Sequence, residues 1–286
     1  MKNIIIITKS SIRLLFLGVA FIAIFSSCGK EVQKPRPNDF TMEVRTELGV
    51  VLGDAISNNS DQFDILDRDQ YKENVYLYMD SMMTQASNLY YFNNTESGWD
   101  QARKWKSFVI QSDEKYAFCI PGGDFYVSTG FLKVMQKDFE LYYVMAFELT
   151  MMQNEVVINK LFSLGIENIA AISANRVEPG DLSANDVIFS FIDPDFKYDS
   201  ATVQEMDELT MNYICATSDY DRFGIVDIIN NTPQMDGLWF NTRPGYAGRN
   251  NIPFLNDIQL EEISRCGNKL KTEGSLYETL ILNHLP

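Results

Sequence analysis

Histidine is almost missing from this 286-residue chain: the single one, His284, stands two residues from the last. Ser-His-Asp and Cys-His hydrolysis, imidazole-ligated zinc and histidine proton shuttles all need a buried imidazole, and the chain has none to offer away from that end. Basic charge is the second shortage. Against 39 Asp plus Glu there are only 24 Lys plus Arg, a formal charge of −15. So acidic a chain repels phosphate backbones and carries no basic stripe, which argues against nucleic acid and against electrostatic docking on anionic lipid. The four cysteines are far apart in sequence, so no metal knuckle is visible. Internal repeats and low-complexity blocks are also lacking, which points to one domain rather than an array.

What is present begins with an address. Lys2, Lys9 and Arg13 form a positive region, residues 14–25 are a twelve-residue apolar run, and Ser26-Ser27-Cys28-Gly29 follow it. The run is too short to span a bilayer as a stable helix. The pattern resembles a bacterial lipoprotein signal over residues 1–27, cut before Cys28, with that cysteine lipidated and the rest held on acyl chains. The alternative is an ordinary secretory signal with an incidental cysteine. Cleavage leaves 259 residues and, with three positive side chains removed, takes the charge from −15 to −18. A chain of that length can bury a full core. Cys119, Cys215 and Cys266 remain beside Cys28, and at most one intramolecular disulfide can form among those three.

Residues 28–39 read as the lipidated cysteine and an extended, proline-containing tether, and residues 40–286 as a single domain. Helical patterns cover 40–56 and 68–87, the second with Tyr71, Val75, Tyr78, Met79, Met82 and Met83 at helical spacing, as core rather than cofactor positions. Short β-like runs follow at 107–111, 115–120 and 124–128, broken by Pro121-Gly122-Gly123. A strong helical segment runs from 138 to about 162. A linker-rich stretch around Pro179-Gly180 leads to further helices at 201–216, 222–230, 255–270 and 275–283. The fold class is α+β, mostly helical.

The block Ala117-Phe118-Cys119-Ile120-Pro121-Gly122-Gly123, followed by Phe147-Glu148-Leu149-Thr150-Met151 on a helix, resembles a family of zinc metallopeptidases. It is the family that includes HtpX, the CAAX prenyl protease and the envelope proteins related to BepA, metallopeptidase family 48. There an N-A-F-x-x-P-G-G strand-turn-strand precedes a GHExxH helix. Glu205-Met206-Asp207 resembles the family's E-A-D, and Asn241-Thr242-Arg243-Pro244 its S-T-H-P. The resemblance implies a zincin-like fold with a small sheet beside a degenerate HExxH helix.

It also implies that the chemistry is lost. HExxH sets two histidines four residues apart on one helical face to bind zinc, with the glutamate activating a water at the open position. Here Phe147 and Met151 stand at the ligand positions, Glu148 remains, and Arg243 replaces the S-T-H-P histidine. Glu205 keeps the third ligand position in one register, and a one-residue shift puts Met206 there instead. Zinc is therefore expected to be lost and no catalytic residue is expected. Two carboxylates in a cleft without a dication need a cation or a proton, so Arg243 is expected to pair with Glu148 or Glu205. Phe147 and Met151 also fit plain core packing at i and i+4. The matching edge strand, Phe125-Tyr126-Val127-Ser128, is a candidate for peptide binding by strand addition.

The expected function is that of an inactive peptidase homologue, lipid-anchored in the bacterial envelope, binding or regulating proteins or peptides there. The alternatives are a zinc-dependent metalloendopeptidase with an atypical site built on Glu148, Glu205 and another oxygen donor, and a purely structural scaffold.

Overall fold

The structure, a computed structural model, describes residues 42–91, 105–163, 183–217, 220, 224–232, 236–243 and 275–286. All the described residues belong to one compact unit, Phe40–Pro286. The signal, Cys28, the tether, Pro179-Gly180 and the expected helix at 255–270 lie outside the described residues.

In chain order the elements are α1 (Met42–Ser57), a π-helical turn (Lys72–Tyr76) that runs directly into α2 (Leu77–Tyr91), and then three strands. These are β1 (Ser107–Ile110), β2 (Ala117–Cys119) and β3 (Phe125–Ser128). After them come α3 (Thr129–Leu132), α4 (Asp138–Gln153), α5 (Val156–Ser163), α6 (Ala184–Ser190) and α7 (Ser200–Thr217). The described chain closes with α8 (Gly224–Asn231), α9 (Leu238–Thr242), α10 (Ser275–Leu280) and a 3-10 turn (Leu282–His284). The fold is α+β and mostly helical, with one small sheet.

Every residue of α4 from Asp138 to Met152 is buried. Its sequence, DFELYYVMAFELTMMQ, has apolar side chains on all sides, which is the pattern of a helix enclosed by its own protein rather than laid on a surface. Helices α2, α5, α7 and α8 and strand β2 pack around it. Its start suits the helix dipole: Asp138 and Glu140 lie in the first turn, and Glu140 Oε2 accepts from the Gln136 backbone N–H at 2.6 Å. The continuous helix expected to residue 162 is instead two. Glu155 adopts a left-handed conformation (φ 64°), which costs a non-glycine residue about 1–2 kcal/mol and ends α4. The ion pair from the buried Arg45 of α1 holds Glu155 there.

The sheet order is β1-β3-β2, with β1 parallel and β2 antiparallel to β3. Phe108, Tyr126 and Phe118 stand in register across the three strands and stack at 5.0 and 5.2 Å between centroids, extended by Phe191 at 5.0 Å. The Pro121-Gly122-Gly123 turn joins β2 to β3 with both glycines at φ near +100°, a region that favours glycine. Helix α1 lies against this turn so closely that a Cβ on Gly49 would sit 2.0 Å from the Pro121 carbonyl oxygen.

The expected peptide-binding edge, Phe125-Tyr126-Val127-Ser128, is not an edge. It is β3, the central strand, paired on both sides, so none of its backbone groups is left for an incoming strand. The true edges are also covered. Beyond β1, Leu66 donates its N–H to the Val109 carbonyl at 2.9 Å and Gln111 donates to Asp64 at 2.7 Å. Beyond β2, the Trp239 N–H reaches the Lys115 carbonyl at 2.8 Å, and the Arg243 guanidinium reaches the Ala117 carbonyl at 3.4 Å.

Candidate functional site

Glu148 projects from the middle of α4 and is 1% exposed. Two donors converge on its Oε1: the indole Nε1–H of Trp239 at 2.7 Å and the guanidinium of Arg243, which forms an ion pair with it. Both donors come from α9 and its C-terminal flank, where residues 239 and 243 are four apart and share one face. Gly237 sets the entry to α9 at φ 120°, and a Cβ there would meet that of Lys115 at 2.7 Å. The ion pair between Lys115 and Asp236, at 2.9 Å, ties the same point to the segment leading into β2.

Arg243 is 3% exposed; its Nε has no partner, and the rest of its guanidinium makes further contacts. Its Nη1 donates to Thr242 Oγ1 at 2.9 Å and to the Trp239 carbonyl at 3.3 Å. Three rings surround the guanidinium carbon, with centroids at 4.9 Å for Trp239, 5.5 Å for Tyr198 and 5.7 Å for Phe147. Such faces favour a desolvated cation. Phe147 is itself packed edge-on to Trp239 at 5.8 Å and stacked on Tyr143 at 6.3 Å. Met151, one turn further along α4, is fully buried.

Burial raises the Glu148 carboxyl above the usual carboxylate range, and the Arg243 charge and the Trp239 N–H oppose that rise. The same burial, with the nearby Glu148 charge, pushes the free Cys119 thiol up, so it is an inert core residue. Tyr198 is also raised, by burial first. Cys215 is disulfide-bonded, while Cys28 and Cys266 lie outside the described residues.

Of the sequence candidates, Phe147, Glu148 and Arg243 thus meet in one buried cluster, and Met151 is buried one turn further along α4. Glu205 does not join them. It lies on the exposed side of α7, whereas Met206 and Asp207 are buried toward α4, with Asp207 accepting from the Tyr143 hydroxyl. The reason is helical phase: Val203, Met206, Thr210, Met211 and Ile214 form the buried stripe of α7, and Thr210 Oγ1 meets Thr150 Oγ1 of α4 at 2.9 Å. That periodicity is readable in the sequence and places Glu205 off the inner face. Trp239 and Tyr198 belong to the site without being part of any motif. The i, i+4 spacing of Trp239 and Arg243 is the signal that could have found the first, and nothing local marks the second.

These residues do not fit a zinc ion. Phe147 has no donor atom, Met151 offers a thioether that suits zinc poorly, and the Arg243 cation already engages the one carboxylate in the cluster. Among the described residues no group of three or more His, Cys, Asp or Glu could hold a metal. The single imidazole, His284, is exposed, with Nδ1 3.1 Å from Asn74 Nδ2. Chemically the arrangement is an internal ion pair in an aromatic box, a device for fixing α9 against α4 and β2. No helix among the described residues is long and apolar enough to cross a membrane. No protein-family model and no curated protein sequence matches the chain.

Proposed function

We propose that this chain is a catalytically inactive homologue of the family 48 zinc metallopeptidases, held in a bacterial envelope by lipid on Cys28, where it binds or regulates other proteins. The observation that carries the reading is the buried Arg243–Glu148 pair. The glutamate that would activate a metal-bound water is engaged by a guanidinium and an indole, and rings and a thioether fill the positions where the ligands would stand. The disulfide at Cys215 supports an oxidising compartment, as expected outside the cytoplasm. With β3 paired on both sides and Glu148 enclosed, the reading assigns partner contacts to the outer surface rather than to a groove over the sheet. The burial of the whole cluster equally supports the second reading, a scaffold with no groove function.

The test is metal content of the mature chain after refolding with zinc and dialysis, alongside hydrolysis of an unfolded casein-like substrate. Neither zinc nor hydrolysis is expected. Stoichiometric zinc, with hydrolysis abolished by Glu148→Gln, would overturn the reading and restore the metalloendopeptidase alternative. For the anchor, Cys28→Ala should move the protein from the membrane fraction to the soluble fraction; unchanged fractionation would count against lipidation.

A further inference from the structure

Helix α4 begins with two buried acids in different states. Glu140 is satisfied: its Oε2 accepts from the Gln136 N–H at 2.6 Å and its Oε1 from the Asn231 side-chain amide at 3.1 Å. Asp138, 4% exposed, is not, because its Oδ1 is buried and has no hydrogen-bond partner. The hydroxyl of Tyr78, on α2, is likewise buried without one. Burial pushes up the phenols of Tyr78, Tyr220 and Tyr277, and the Asp138 charge adds to each rise. Three phenols, from α2, from the segment between α7 and α8, and from α10, thus lie around one carboxylate. The neighbouring Lys137 ammonium pairs with Asp227 at 2.9 Å. The dipole of α4 suits acids in its first turn, but it gives Asp138 Oδ1 no hydrogen bond.

A buried carboxylate oxygen is costly until a cation or a donor meets it. We propose that Asp138 Oδ1 and Tyr78 Oη form a binding site for a small monovalent cation, either an alkali ion or a primary ammonium. The ligand atoms select that class. Carboxylate and phenol oxygens suit a hard ion rather than a transition metal, and one carboxylate with one phenol falls far short of the about six to eight oxygens that calcium collects. Tyr277 donates its O–H to the Leu132 carbonyl at 2.7 Å, so its oxygen keeps lone pairs for a cation. Tyr78 and Tyr220 are only half-buried, so the cluster lies close beneath the surface.

Thermal melting of the chain at constant ionic strength in potassium, sodium, ammonium or tetramethylammonium chloride tests the site. Tetramethylammonium serves as the reference, being larger than the other three and without an N–H. At least one small cation should raise the melting temperature by about 2–4 °C over that reference. An alkali ion is the occupant if potassium or sodium gives the rise, and an ammonium group if only ammonium does. The rise should vanish in Asp138→Asn and in Tyr78→Phe and persist in Glu205→Gln, on the outer face of α7. Tyr78→Phe removes only a hydroxyl, so it still reads the site if Asp138→Asn does not fold. Equal melting in all four salts, or a rise that survives Tyr78→Phe, would overturn the proposal.

Discussion

Two arginines in this fold each meet aromatic rings, a carboxylate and a strand carbonyl, in different surroundings. Arg68 lies over the rings of Tyr76 and Phe108, at 4.3 and 5.3 Å, and donates to Asp80 and to the Ser107 carbonyl of β1. Arg243 lies among Trp239, Tyr198 and Phe147 and donates to Glu148 and to the Ala117 carbonyl of β2. The side chains of the first pair are 31% and 35% exposed, those of the second 3% and 1%. Water screens Arg68 and Asp80 and can hydrate either if its partner is lost, so the pair adds little to stability. Around Glu148 no such substitute exists, and each charge is tolerable only because the other is present. Similar chemistry thus adds little at one edge of the sheet and is a structural requirement at the other.

The sharpest way to break this comparison is to remove one charge from each pair. Arg243→Met, which leaves Glu148 buried without a cation, should cost about 3–5 kcal/mol in urea unfolding, and Glu148→Gln should cost a similar amount by stranding Arg243. A loss below about 1 kcal/mol for either would show that water reaches the cluster.

Alkali tests the same contrast through the rings. Tyr76 beneath Arg68 and Tyr116 on the sheet are pushed up to about 12, chiefly by burial, while an unfolded tyrosine ionises near 10. The folded-state values are raised, so stability fully present below pH 10 is lost as pH rises toward 12, roughly 2–3 kcal/mol for each. Burial also raises Tyr198 beside Arg243, so it should ionise only once the chain unfolds. The share of tyrosinate absorbance owed to these rings, read as the difference between the parent chain and Tyr76→Phe, Tyr116→Phe or Tyr198→Phe, should therefore appear together with loss of the far-UV helix signal. Its appearance near pH 10 while the helix signal persists would contradict their burial.

Arg68→Met should lower stability by only about 1 kcal/mol, with the difference shrinking as salt is added. The smallest effect belongs to Glu205→Ala, expected within about 0.5 kcal/mol because the side chain lies on the outer face of α7. Likewise a chelator should leave the melting temperature unchanged, since the cluster's counter-charge is a guanidinium. A clear fall with chelator would point to a metal that the Glu148 cluster does not explain.

How much of this was legible beforehand depends on the range over which each residue finds its partners. The Pro121-Gly122-Gly123 turn, the strands beside it and α4 follow from local pattern, and the structure has them. The expected pairing of Arg243 with a carboxylate was also readable, because a buried acid must find a cation. Two features were not. The position of β3 depends on which strand joins it from 18 residues earlier, and local alternation does not encode sheet order. The break at Glu155 depends on a left-handed residue held by Arg45, 110 positions away, which propensity does not anticipate. Glu205 is a different case: the stripe of Val203, Met206, Thr210 and Ile214 turns that carboxylate outward, and this phase is legible in the sequence although the E-x-D motif points the other way.

The central claim is that Arg243 supplies the positive charge Glu148 needs, and a double-mutant cycle tests it most directly. Urea unfolding would be measured for the parent chain, Arg243→Met, Glu148→Gln and the double variant. The account predicts a double variant within about 1–2 kcal/mol of the parent and a coupling energy of about 3 kcal/mol or more, because removing both charges removes the penalty each single change exposes. Single losses that simply add, with coupling below about 0.5 kcal/mol, would contradict it.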